Sequence, residues 1–271
     1  MMKKNNFTVL LPVYEAENPA FLDKCLMSMA NQKVKPNQTL ICIDQKITLQ
    51  LEKVINQYKE LLNINSIIYK GSSQLGGSLA LGVKESVNEI IFRMDADDIC
   101  HPKRFSIMLD EFTKKKYDVL GSWGAEFDKL PSDQRSIRKT PEQIKGSIGY
   151  LRNPFNHPSV MFRKSKVLES GNYRECFGSE DWDLWLRMKK NNAKMGNIPE
   201  VLIYQRVGNN FIERRSGLKY LSRRIDTLII WKKENLIPFY SFIICIFSEM
   251  AIRLLPQNLV SLIYKVFLRV R

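Results

Sequence analysis

The chain has 271 residues, 44% of them hydrophobic, which suits one large α/β domain with an appendage or two small domains. Its five cysteines (Cys25, Cys42, Cys100, Cys176 and Cys245) are odd in number and lack CxxC spacing. That argues against a disulfide framework or a zinc site and fits a reducing compartment. The net charge of +14 calls for an anionic partner: nucleic acid, a nucleotide-bearing substrate or an acidic membrane surface.

The first apolar run, Phe7 to Leu11, reads as a strand ended by Pro12. It is too short for a signal peptide, so a cytosolic chain is expected. Asn18-Pro19 starts a helix reaching about Asn31, with Phe21, Leu22, Cys25, Leu26 and Met29 at helical spacing. Thr39 to Ile43 is a second strand, ending in Asp44. Thr48 to Leu62 is a helix, Asn65 to Tyr69 a strand, Gly76 to Ser86 a short helix and Glu89 to Met94 a fourth strand. This alternation predicts a mostly parallel sheet covered by helices on both faces. Ligands of such sheets sit at the C-terminal strand ends, where Pro12–Glu15, Asp44 and Asp95–Asp98 all fall.

Further on, Pro102 to Lys116 reads as a helix, Val119 to Phe127 as a strand and Leu130 to Arg138 as a polar loop or hairpin. Pro141 to Leu151 is expected to be helical. Asn153 to Pro158 is irregular, because Pro154 and Pro158 interrupt it. Ser159 to Phe162 is a short strand, and Trp182 to Asn191 a helix with Ser179, Glu180 and Asp181 suited to its N-terminus. Val201 to Val207 is a strand, and Leu218 to Glu234 a basic amphipathic helix.

Asp95, Asp97 and Asp98 crowd the turn after the fourth strand. In extended chain, residues two apart share a side, so Asp95 and Asp97 face one point and Asp98 faces away. Carboxylates this close repel unless a cation lies between them, and hard oxygen ligands suit Mg²⁺ or Mn²⁺. By itself the triad reads equally as a solvated acidic turn before the next helix.

Taken together, these segments resemble family 2 glycosyltransferases. Pro12-Val13-Tyr14-Glu15 matches the opening motif of that family. Asp44, Asp95-Ala96-Asp97-Asp98, His157-Pro158-Ser159-Val160-Met161-Phe162 and Glu180-Asp181 follow in family order. Arg93 to Asp98 with Pro102 and Arg104 is close to the family's RxDADD block. The resemblance runs from about Phe7 to Arg215. It implies a GT-A catalytic domain over residues 1–215, inverting chemistry and a UDP-sugar donor. It implies that Pro12, Tyr14 and Glu15 line the nucleoside pocket, with Arg93 and Asp95 also at the donor, and that Asp44 accepts from the base. Asp97, with Asp95, would bind Mn²⁺ or Mg²⁺. Asp181 would be the general base, with Glu180 beside it. The acceptor would be a glycan or lipid-linked saccharide in capsule, O-antigen or exopolysaccharide synthesis.

The chain departs from the family in places. The family's NxGLxxALNxG block is blurred into Gly71 to Gly82, where backbone donors for phosphate and a plain helix start are both open readings. The metal-ligating His found in many relatives after the last strand is missing from Tyr204-Gln205-Arg206-Val207-Gly208, which leaves the third metal ligand open. His157 reads first as a hydrogen-bonded structural histidine and second as a contact to metal, donor or acceptor. Trp182 and Trp185, at helical spacing, read first as core and second as a sugar platform. Arg214-Arg215 either bind the donor diphosphate or begin the tail.

Acidic strand ends argue against a nucleic-acid module, and no GxxxxGK[ST] loop supports a triphosphate-using enzyme. The positive excess lies in the tail, where eleven Lys or Arg face Asp226, Glu234 and Glu249 from Arg214 onward. Ile237 to Leu255 is apolar but bracketed by Pro238 and Pro256, with Glu249 and Arg253 inside, and Leu259 to Val270 repeats the pattern. Residues 216–271 are therefore expected to lie on the inner face of the cell membrane as an interfacial element rather than to span it. The alternative is a helical pair packed on the catalytic domain, or an oligomer interface.

Overall fold

The computed structural model describes residues 6–72, 75–176, 178–207 and 218–254. Strands β1 (Phe7–Val13), β2 (Gln38–Asp44), β3 (Ile64–Tyr69) and β4 (Ile90–Arg93) alternate with helices α1 (Pro19–Ala30), α2 (Leu49–Tyr58) and α3 (Leu75–Glu85). Asn18 caps α1 by accepting from the Ala20 N–H at 2.9 Å, and Thr48 caps α2 by accepting from the Leu51 N–H. β1 pairs in parallel with β2 on one side and β4 on the other, and β2 pairs in parallel with β3. Register brings Val13 beside Ile43 and Asp44 beside Tyr69, so these strand ends form one edge.

The second half departs from the expected parallel pattern. β5 (Ile99–Cys100) and helix α4 (Arg104–Lys115) lead into β6 (Val119–Phe127), which forms a hairpin with β7 (Ser136–Arg138). β8 (Met161–Arg163) runs antiparallel to both β4 and β6, whereas β9 (Met195–Arg206) runs parallel to β6 and antiparallel to β5. The sheet is therefore mixed, in the order β3-β2-β1-β4-β8-β6-β9-β5. β9 begins earlier than expected because it continues through Pro199. The register jumps from Ile198 opposite Ser122 to Val201 opposite Trp123, so a bulge absorbs the proline.

Both faces are covered. Val9 and Leu11 point into a core with Leu22, Leu26, Leu51 and Phe105, while Leu10 points the other way to Leu79, Val83 and Trp185. Helices α5 (Lys164–Glu169) and α6 (Glu180–Lys190) complete that second face. α3 lies close to the sheet at Gly82, where a Cβ would meet Leu10 and stand 2.6 Å from Cys42 Sγ.

Residues 141–151 are not helical. Gly146 and Gly149 adopt φ of +55° and +95°, which a right-handed helix cannot contain, and Gln143 instead bridges to Gly196. β5 and α5 are too short to leave a periodic signal. Helices α7 (Leu218–Lys233) and α8 (Phe239–Leu254) pack on each other and on α6. Leu186 joins Leu228, Trp231, Leu236, Ile237 and Cys245 in this third cluster. The repeat expected at Leu259 to Val270 lies outside the described residues.

Candidate active site

Three groups of side chains meet at the C-terminal edge of β1, β2 and β4. The first comes from the β1 and β2 ends. Pro12 is half-buried, and Tyr14 and Glu15 are exposed in the turn that follows. Lys46 after β2 reaches back to Glu15 at 3.1 Å, tying the two turns together. Gln45 has a positive φ of 59°, and its N–H donates to the Tyr69 carbonyl. This sharp turn leaves Asp44 at the rim, half-buried. Its Oδ1 is shut off from solvent with no donor among the described residues, and burial raises its pKa. A buried acceptor without a partner is a site for a ligand N–H.

The acidic turn after β4 is the second group. Arg93 is buried and its guanidinium meets Asp95 Oδ1 at 2.5 Å. The Asp98 N–H turns back to the Asp95 carbonyl, and the backbone N–H of Arg206 donates to Asp98 Oδ1 at 3.0 Å. Asp98 does not face away as the alternation predicted. The turn folds it inward, and Asp95, Asp97 and Asp98 can each place an oxygen within 4.8 Å of the others. Burial and the neighbouring Asp95 push Asp97 up to about 6, and Asp98 is raised well above the usual carboxylate range for the same reasons. Asp98 Oδ2 is buried without a donor. A set of crowded, partly orphaned hard oxygens fits a divalent cation such as Mg²⁺ or Mn²⁺.

Arg206, the last residue of β9, lies against this turn. Its Nε donates to the Asp97 carbonyl at 3.3 Å, and its guanidinium lies 3.9 Å from the Phe21 ring centre and 4.5 Å from that of Phe127. It braces the turn through both backbone and side chain. The β5–β9 pairing brings it there across 108 residues of sequence, which no local pattern signals.

The third group centres on Asp181 at the start of α6. β8 runs antiparallel to β4, so the His157–Ser159 turn preceding it lies at the β4 C-terminus, where the Arg93 N–H meets the Val160 carbonyl. His157, Glu180 and Asp181 can each place a ligand atom within 4.8 Å of the others. Asn153 donates to Asp181 Oδ2 at 2.6 Å, and the Trp182 N–H to Oδ1 at 2.8 Å. His157 Nδ1 is 4.0 Å from Asp181 Oδ2, and its Nε2 is 3.1 Å from the Tyr173 hydroxyl. Burial, with Arg93 nearby, lowers the His157 pKa well below its ordinary value, so the ring is neutral. His157 is hydrogen-bonded, as the sequence reading expected, and lies beside Glu180 and Asp181. Asn153 and Tyr173 carried no signal in the sequence.

The tryptophans pack rather than form a platform. Trp185 is buried against Phe155, and Trp182 meets Trp231 edge to face while its Nε1 donates to the Gly149 carbonyl. Gly76 lets the α3 start approach the Arg174 backbone carbonyl, and Gly77 the Tyr69 hydroxyl, so in this block the glycines serve close packing. Arg214 and Arg215 lie outside the described residues.

A half-parallel, half-mixed sheet covered by helices on both faces is the architecture of the GT-A fold. The chain belongs to glycosyl transferase family 2, whose family model matches residues 8–171. It is a glycosyltransferase that uses nucleotide-sugar chemistry. It is 34% identical over 266 residues to the UDP-Gal:alpha-D-GlcNAc-diphosphoundecaprenol beta-1,3-galactosyltransferase of Escherichia coli, covering 97% of this chain and 96% of that one. It is 29% identical to the amylovoran biosynthesis glycosyltransferase AmsE of Erwinia amylovora, over 81% of this chain and 83% of the relative. The fold is similar to Staphylococcus aureus TarS 1-349 in complex with UDP-GlcNAc, with a TM-score of 0.65 and 16% identity over 83% of this chain and 66% of that one. It also resembles a Pyrobaculum calidifontis mannosyltransferase in complex with GDP-Man and Mn²⁺, with a TM-score of 0.60 and 13% identity over 84% of this chain and 62% of that one. The chain spans 39% of the chain in another crystal structure of Staphylococcus aureus TarS.

Proposed function

We propose that this chain is an inverting transferase that moves a hexose from a UDP-sugar to a saccharide, free or linked to a lipid diphosphate, in surface polysaccharide synthesis. The supporting observation is the sharing of one strand edge by an orphan acceptor at Asp44, a three-carboxylate turn and a separate carboxylate at Asp181. The relatives named for lipid-linked galactosyl transfer and amylovoran synthesis support the acceptor class.

In this reading Asp44 accepts from the uracil N–H, and Pro12, Tyr14 and Glu15 frame the nucleoside. Asp97, with Asp95 and Asp98, would hold Mn²⁺ or Mg²⁺. A divalent cation held there would supply Lewis-acid stabilisation of the departing diphosphate. Arg93 is buried against Asp95, so it acts by fixing that carboxylate. Asp181 takes the proton of the acceptor hydroxyl, and Glu180 supports the helix start beside it. Asn153 and the Trp182 N–H fix both oxygens of Asp181, while neutral His157 places no positive charge beside it. One base and one donor site suffice for single displacement with inversion.

Residues 1–215 would form the catalytic unit, and residues 216–271 would hold it to the cytoplasmic face of the membrane. Among the described residues no helix is long and apolar enough to cross a membrane. α8 instead exposes a stripe of Tyr240, Ile244 and Phe247 at helical spacing, flanked by Phe239 and Met250.

The test is UDP release from a panel of UDP-sugars with Mn²⁺, read together with sugar transfer to acceptor by mass spectrometry. Sugar-dependent release that is lost in EDTA and in Asp97→Asn supports the reading. Full activity in EDTA, or in Asp97→Asn, overturns the metal assignment.

A further inference from the structure

The helices beyond the matched family region grip the segment that carries the candidate base. Arg224 of α7 is 5% exposed and lies 3.0 Å, through Nε, from Glu249 Oε1 on α8. Its Nη1 donates to the Ser179 hydroxyl, on the residue immediately before Glu180-Asp181. Its guanidinium lies against two indoles, 5.4 Å from the Trp182 ring centre and 5.7 Å from that of Trp231. Two turns further along α7, the Trp231 Nε1 donates to Asp183 Oδ1 at 2.9 Å. Asp183 is fully buried and paired with Arg187. α7 therefore holds the residues on both sides of the Glu180-Asp181 pair.

Two features make this more than packing. The Ser179 side chain does not cap α6 itself, so its hydroxyl remains for Arg224. A guanidinium also projects several donors in fixed directions, so one group can set the distance between α8, α7 and the α6 N-terminus at once. The base needs that precision, because displacement by 1 Å costs on the order of 10²-fold in rate.

We propose that Arg224 is a positioning residue for Asp181, and that the α7–α8 pair is a working part of the catalytic site. The inference rests on Asp181 being the base. Arg224→Met combined with Glu249→Gln removes both charges and leaves neither ion buried alone. In the full chain this double variant should bind UDP as the wild type does by calorimetry, because the donor groups lie on β1, β2 and β4. Its kcat should fall about ten- to a hundredfold, with donor KM within about twofold. Leu228→Ala, which thins the same helix contact without touching the polar clamp, should lower the melting temperature yet keep kcat within about twofold.

Wild-type kcat in a double variant that binds UDP overturns the inference, as does an equal fall in kcat for Leu228→Ala. If the double variant loses UDP binding, Arg224→Lys carries the same test. It keeps the charge but loses the planar fork, and unchanged kcat there overturns the inference. Asp181→Asn run alongside separates the two readings. Turnover retained in Asp181→Asn removes the base assignment, whereas its loss beside a fully active Arg224 variant removes only the role of Arg224.

Discussion

Asp44 shows how a single residue can disclose a ligand. Its Oδ1 is buried without a donor, whereas the buried hydroxyls of Thr8 and Thr39 both find partners. Uracil binding would supply the missing donor. Asp44→Ala should weaken UDP by about 1–3 kcal/mol, the usual cost of leaving one side of a buried hydrogen bond unmatched. That is roughly five- to 150-fold in Kd by calorimetry, and an unchanged Kd would refute the contact. His157 makes a second residue-scale prediction, through stability. Its folded pKa lies well below the ordinary 6.5. Above 6.5 the ring is neutral in both states and the stabilisation is fully present. As pH falls below 6.5 the unfolded chain takes up a proton that the folded chain refuses, so stability drops. Asp97 and Asp98 are raised, and they work in the opposite direction over the same range. The comparison to make is therefore wild type against His157→Gln in urea melts at pH 7 and pH 5. The variant should lose less stability on acidification, and an equal loss would show that His157 does not contribute.

At the scale of elements, close approach decides which residues are allowed. α3 carries Gly82 over Leu10 and Cys42, both fully buried. Gly82→Ala would gain about 1 kcal/mol of helix propensity, but it overpacks a filled core at a cost of about 1–3 kcal/mol. The overpacking term should win, and a fall in melting temperature would show it. A rise would mean that Leu10 moves aside freely. The loop at 141–151 teaches the same lesson in reverse. Its apolar spacing suits a helix, and Ile144 is indeed buried, yet Gly146 and Gly149 take positive φ and the segment stays irregular.

At the scale of the whole molecule, the sheet joins a parallel half to a mixed half, and α7 and α8 pack on α6. α8 turns Cys245 and Ile246 inward and leaves Phe239 64% and Phe247 67% exposed. Lys232 and Lys233 precede it at the end of α7. Full-length protein should therefore float with anionic phosphatidylglycerol vesicles and detach in high salt, and a Phe239→Glu/Phe247→Glu variant should float poorly. Salt-resistant binding would contradict an interfacial mode, and no binding by the wild type would leave α7–α8 as a purely intramolecular element. The sequence by itself determined the strand–helix alternation of the first half, the acidic strand ends and the Glu180-Asp181 pair. These are local: apolar periodicity and a turn at each strand end place them wherever the chain folds as α/β. Only the tertiary structure decided that Asp98 turns inward under the Arg206 N–H, that Asn153 and Trp182 hold the two oxygens of Asp181, and that Arg224 reaches Ser179. Most of those contacts join residues far apart in sequence, and they form because a β8 strand running against β4 and a β9 strand running beside β6 bring distant loops to one edge. Residue spacing carries no record of such pairings, because each side chain is compatible locally with many partners and burial alone selects one.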